Sequence, residues 1–202
     1  MSQRQVQINR DLAAKTRACD VLTVVSQCID EFNLVNCGTA LQRMAKSQDA
    51  HRLLHGHSGG GGGGGGRGVG GLGGRGLRDD EKKLFGRLVD KAASLVHQKP
   101  QYCESRQLAS LLHACGKLGA RDHAGRLVDE VEASTMLHAH KFNPQELANA
   151  MWGAAKLAVD HRRDLIRALA DAIAASLTKS NADANAPSSR QQPQPQPWGR
   201  QQ

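Results

Sequence analysis

A chain of 202 residues with net charge +8 is long enough for one ordinary domain, but only 3% of it is aromatic, so burial falls to Leu, Val and Ala. No apolar run reaches the roughly 18 residues that a membrane-crossing helix needs, and five cysteines without a CxxC spacing argue for a reducing compartment rather than a disulfide framework. Residues 1–78 carry 10 basic and 5 acidic residues whereas 79–178 carry 14 and 13, so the excess that would seek phosphates or anionic membranes lies mostly outside the most regular part of the chain.

In chain order, Met1 to Lys15 holds Arg4, Arg10 and Lys15 but no apolar core. That excludes a secretory signal and is compatible with organelle targeting. Residues 9–31 read as one lead-in helix, since Leu12, Cys19, Leu22, Val25 and Ile29 recur at helical spacing. The β-branched run Val21 to Val25 also suits a strand, but its short length favours a helix. From Asn33 a second helix is expected to about Leu54. Gly56 to Gly76 follows, with eight consecutive glycines at Gly59–Gly66. Glycine loses the most freedom on ordering, so the loop at 56–78 is expected to be disordered and dispensable. Arg67 and Arg75 stand between glycines there, and a GxGxxG match arises from composition alone, with no strand before it.

Further helices are expected at Asp80–Gln98, Asp122–Ala139 and Arg162–Lys179, carried by Leu84, Leu88, Leu127, Val131, Leu165 and Leu169 among others. The segment 179–202, ending Gln194-Pro195-Gln196-Pro197-Trp198, has too little apolar content to fold and reads as a disordered tail.

The most complete start signal lies at Phe142-Asn143-Pro144-Gln145-Glu146-Leu147. Asn143 is a preferred N-cap, Pro144 suits the first helical position, Glu146 completes a capping box, and Phe142 with Leu147 forms a hydrophobic staple. A shift of 39 residues lays Leu147-Ala148 over Leu108-Ala109, Lys156-Leu157 over Lys117-Leu118, and Gly125 to Asp129 over Gly86 to Asp90. Two segments obeying one offset mark an internal repeat of two helices. A third copy opens at Phe32-Asn33 and ends at Ala45-Lys46, with the Gly-rich run inserted before its second helix. The expected fold is all-α: an α-solenoid of three antiparallel helix pairs over 32–98, 99–138 and 139–178, preceded by a segment 1–31.

The phrase Phe142 to Asn149, then Trp152 and Ala155-Lys156-Leu157, resembles the octotricopeptide repeat, with Glu104 and His113, then Gln42, as departures in the other two copies. The resemblance implies a right-handed α-solenoid of the green-algal type that binds organellar RNA in its maturation, stability or translation. Its compartment would be the chloroplast or mitochondrion, its partners single-stranded RNA and proteins of RNA processing, with no cofactor and no catalysis.

At 100° per residue the repeated helix divides into an apolar face (Leu147, Ala150, Met151, Ala154, Leu157) and a polar one (Glu146, Asn149, Gly153, Lys156). The other copies give Gln107, Ser110, Ala114 and Lys117, then Asn36, Thr39, Arg43 and Lys46. Equivalent positions stack in repeat proteins, so Lys46, Lys117 and Lys156 are candidates for phosphates. Asn36, Thr39, Gln107, Ser110, Glu146 and Asn149 are candidates for bases, with Arg43 beside them, as in repeat codes for single-stranded RNA. Trp152 borders this stripe and is expected to be buried between helices rather than to stack on a base. His51, His55 and His57, and His138 with His140, lack cysteine or HExxH partners, so no metal site is expected. The alternative to RNA is a protein-interaction scaffold, whose concave face would hold a partner's helix or extended segment.

Overall fold

The computed structural model describes residues 2–47, 79–138, 141–157 and 163–184, and among them no strand occurs. The helices are α1 (Gln3–Ala13), α2 (Ala18–Cys28), α3 (Leu34–Lys46), α4 (Asp79–Gln98), α5 (Ser105–Leu118), α6 (Arg121–His138), α7 (Pro144–Lys156) and α8 (Arg163–Ala184). Short 3-10 turns at Ile29–Glu31 and Pro100–Tyr102 lead into α3 and α5.

The odd-numbered helices pack in succession, α1 on α3, α3 on α5 and α5 on α7. The even-numbered ones do the same beneath them, and each odd helix also touches the even helix that follows it. One core runs from Ile8 and Leu12 of α1 to Leu165 and Leu169 of α8. The residues common to the 39-residue copies, Leu88 with Val89 and Leu127 with Val128, are buried at its centre. Truncating any of these leucines to alanine removes packed methyl groups at a cost of about 2–5 kcal/mol.

The expected single helix over 9–31 is two helices. The apolar step from Leu12 to Cys19 is compatible with one continuous face, which conceals the turn at 14–17. The buried residue is in fact Ala18, and Cys19 is half-buried. A new apolar period therefore begins at Ala18, and α1 folds back to pack on α3 while α2 packs on α4. Helix α1 has few apolar residues but a strong start: Ser2 Oγ accepts from the Gln5 N–H at 3.2 Å, and Gln5 Oε1 accepts from the Ser2 N–H at 3.1 Å. Arg4 and Glu31, 3.0 Å apart at the surface, tie α1 to the turn after α2.

Two helix ends also differ from expectation. Helix α3 stops at Lys46 rather than near Leu54, because Ser47 takes an extended backbone (φ −71°, ψ 143°) and its hydroxyl donates to the Met44 carbonyl at 2.6 Å. At the other end α8 continues to Ala184, so 179–184, expected in the disordered tail, are helical. The Gly-rich segment 56–78 and residues 185–202 lie outside the described residues.

Helix α5 ends on Gly119 in the left-handed region (φ 64°), the only such glycine among the described residues. The Ala120 N–H then bonds the Cys115 carbonyl at 3.0 Å, the six-to-one closure that lets α6 start two residues later.

Candidate functional site

Every odd helix opens with a polar side chain at its third position turned back on the cap. In α3, Asn33 Oδ1 accepts from the Asn36 N–H at 2.9 Å and Asn36 Oδ1 accepts from the Asn33 N–H at 3.2 Å. In α7 the Asn143–Glu146 pair repeats this at 2.9 and 3.0 Å, and in α5 Gln107 Oε1 accepts from the Glu104 N–H at 3.3 Å. The row Asn36, Gln107 and Glu146 is therefore a capping row, satisfying amide protons that a helix start leaves free.

Two of its members also join neighbours. Asn36 Nδ2 donates to the Gln5 carbonyl of α1 at 3.0 Å, and Ser105 Oγ of α5 donates to Glu146 Oε2 at 2.9 Å. Asn36 is fully buried, which corrects its expected place facing a base. The third turn position sits under the preceding helix, where a primary amide can bond both strands of the contact. Gln107 and Glu146 are half-buried.

The next three rows stay accessible. Thr39, Ser110 and Asn149 form the first, all half-exposed. Gln42, His113 and Trp152 form the second, and Lys46, Lys117 and Lys156, all exposed, the third. A cleft of about 310 Å³ between α3 and α5 is bordered by Thr39, Gln42, Arg106, Gln107 and Ser110. A second, of about 180 Å³, lies further toward the helix ends between Gln42, Lys46, Ser110, His113, Lys117 and Asn149, so it brings residues of α3, α5 and α7 to one place. Together they make a groove running along the odd layer, its walls mixing these polar side chains with Leu34, Val35, Gly38, Ala45 and Ala114, and with a lysine edge. Among the described residues none of the three lysines has a carboxylate within ion-pair distance. Exposed ammonium groups without a carboxylate partner can meet an anion.

Two residues expected to be accessible on this face are buried, although one of them, Ala114, still lines the second cleft. Gly153 is buried, because α5 and α7 approach there backbone to backbone: a methyl group added at Gly153 would lie 2.4 Å from the Leu112 carbonyl carbon and oxygen. Its equivalent Ala114 is also buried. Arg43, the third member of that row, is half-exposed but borders neither cleft.

Trp152 is the opposite case. It was expected between helices and is 40% exposed. Its ring meets the His113 imidazole across the α5–α7 contact, centroids 4.8 Å apart and planes tilted by 38°. Lys156, one turn on, holds its ammonium 5.7 Å from the indole centroid, a cation–π distance. Burial, and after it the charge of Lys117, pushes the His113 pKa down, which favours the neutral ring. The row Gln42, His113 and Trp152 was passed over as a site because it appeared in the sequence as one motif tryptophan, expected between helices, and two departures from it. The signal available was that all three side chains are large and planar or amide-bearing, at a position one turn before the recurring lysine.

Cys37 and Cys115 lie in the core as small hydrophobes, their thiols pushed up to about 12 by burial, and none of the five cysteines forms a disulfide. Among the described residues no three metal-ligating side chains converge. His138 is buried with both ring nitrogens unpartnered, and His51, His55, His57 and His140 lie outside the described residues. No helix of the described residues is long and apolar enough to cross a membrane. No family model matches the chain, and neither a curated protein nor a solved structure is significantly similar to it.

Proposed function

We propose that this chain is a non-catalytic RNA-binding α-solenoid that holds a single strand along the groove over α3, α5 and α7. The observation that carries the reading is the lysine row. Lys46, Lys117 and Lys156 stand at one repeat position on three successively packed helices, exposed and without carboxylate partners among the described residues. A regular line of cations beside this groove suits a polyanion with a regular charge spacing. Thr39, Ser110 and Asn149 offer donors and acceptors next to it, suited to base edges. The octotricopeptide resemblance of α7 supports the same class of ligand and an organellar setting, in RNA maturation, stability or translation.

The lysine edge favours a nucleic acid over a protein helix. A helix-binding groove presents apolar pockets at i, i+3 and i+4 spacing, whereas here Leu34, Val35, Ala45 and Ala114 alternate with Thr39, Gln42, Ser110, His113 and Asn149 beside exposed lysines. The test is binding of a random single-stranded RNA pool as salt is raised. Each phosphate neutralised on a single strand contributes about 0.7 to the slope of log affinity against log salt. Changing the three lysines together to alanine is therefore expected to weaken binding at low salt and reduce the slope by about 2. Wild-type protein without salt-sensitive RNA binding, or a triple variant that binds as well as wild type, would return the groove to the scaffold reading.

A further inference from the structure

Trp152 stands out against the polar side chains of the three accessible rows. One flank is occupied by the His113 ring at 4.8 Å and the Lys156 ammonium lies 5.7 Å from its centroid, yet two fifths of the residue remains open to solvent. The indole is thus held in place by neighbours on two helices rather than swinging freely, and it is not buried by them. A pre-positioned, partly open aromatic ring is a stacking surface, since any base presents a π-face to it and the entropy of fixing the ring is already lost. Its stacking neighbour His113 borders the second cleft together with Asn149, so the indole adjoins that cleft through His113 rather than lining it. The lysine row is one turn further along the helices, about 6 Å by helical rise.

We propose that the His113–Trp152–Lys156 cluster is a nucleobase-stacking site, taking one base of the strand, purines most tightly, while Lys156 faces the adjoining phosphate. This rests on the RNA reading above and adds the contact that fixes where along the groove a base is held. Purines are favoured because their larger ring system overlaps more of the indole. The equivalent Gln42 and His113 of the earlier repeats offer an amide and an imidazole, so the row presents its full aromatic surface only at α7.

Full-length protein with Trp198→Phe leaves Trp152 as the only tryptophan of two. Its emission is followed while a 12-mer of adenosine, a 12-mer of uridine and an abasic ribose-phosphate strand of the same length are titrated at fixed low salt. The adenosine strand is expected to quench Trp152 and to bind more tightly than uridine, and the abasic strand to bind weakest with no quenching. Trp152→Leu in parallel should weaken adenosine binding by about 10-fold, within the range of one lost stack, and bring it level with the abasic strand, without altering the salt slope. Salt-sensitive binding of adenosine with unchanged Trp152 emission overturns the stacking site and leaves the lysine groove standing, whether or not the leucine variant folds. Failure of all three strands to bind overturns both.

Discussion

Gly153→Ala is the substitution whose effect is most sharply set by the packing. The new methyl carbon would lie 2.4 Å from the Leu112 carbonyl carbon and oxygen and 2.7 Å from the His113 nitrogen, all of them backbone atoms. Carbon–carbon contacts are comfortable at about 3.5–4.0 Å, so α7 must retreat from α5 by about 1 Å. Rotation of a side chain cannot relieve the clash. Overpacking of this kind costs about 1–3 kcal/mol. Against it stands the gain of replacing glycine by alanine inside a helix, about 1 kcal/mol. Because the retreat also loosens the contacts along the rest of α5 and α7, the net expectation is a loss of about 1–2 kcal/mol, or roughly 2–8 °C in melting temperature.

Two internal controls separate packing from propensity. An added methyl at Gly38 of α3 or Gly125 of α6 meets nothing within 4 Å. Those alanine variants gain propensity alone and should be more stable than wild type by about 0.5–1 kcal/mol. Thermal and urea unfolding of the three variants, read by helical circular dichroism, decides the matter. If Gly153→Ala is as stable as Gly38→Ala, the close approach of α5 and α7 does not exist in solution. Gly153 adjoins Trp152 in the chain, so the same retreat should also lower RNA affinity, which the Gly125 control should leave unchanged.

Asn36→Ala removes the return bond of the capping box and the added bond to the Gln5 carbonyl, so it should cost about 1–3 kcal/mol in unfolding while leaving the proposed RNA binding intact below the transition. His113, its pKa lowered by burial and then by Lys117, binds a proton less readily folded than unfolded. Its contribution to stability is therefore full above the unfolded value near pH 6.5 and is lost as pH falls through the lower folded one. Urea midpoints measured across that window should fall less steeply with acid in His113→Gln. Cys37 and Cys115, pushed up to about 12, should resist iodoacetamide at pH 8 in the native protein and react once it is unfolded, read by mass spectrometry of the labelled peptides.

The helical class was legible because amphipathic period and cap chemistry are local. Asn143, Pro144 and Glu146 announce the start of α7, and the structure forms the expected cap within one residue. The shared Gly-Arg-Leu-Val-Asp segment marked the core positions of α4 and α6 for the same reason. Helix α1 was not legible, because its burial comes from α3 and its own sequence offers only Val6, Ile8 and Leu12 as large apolar residues. Gly153 shows a second limit. At 100° per residue it falls among polar neighbours, and only the distance between two helix axes decides that a glycine there is a contact rather than a gap. Angle on one helix describes a face; it does not say how wide the neighbour's footprint is.

That footprint also explains why the candidate site shifted by one row. The cap-proximal row, Asn36, Gln107 and Glu146, is polar for a reason internal to the fold, the free amides of each helix start. The row at Gln42, His113 and Trp152 has no such internal requirement, since capping ends a full turn earlier and the core contacts are made by Leu41, Leu112 and Ala154 beside it. Side chains that neither cap a helix nor fill the core, yet stand in register on three packed helices beside lysines without carboxylate partners, are the ones a ligand can reach. Polarity alone would have ranked Asn36 above Trp152, and the hydrogen bonds of Asn36 reverse that order.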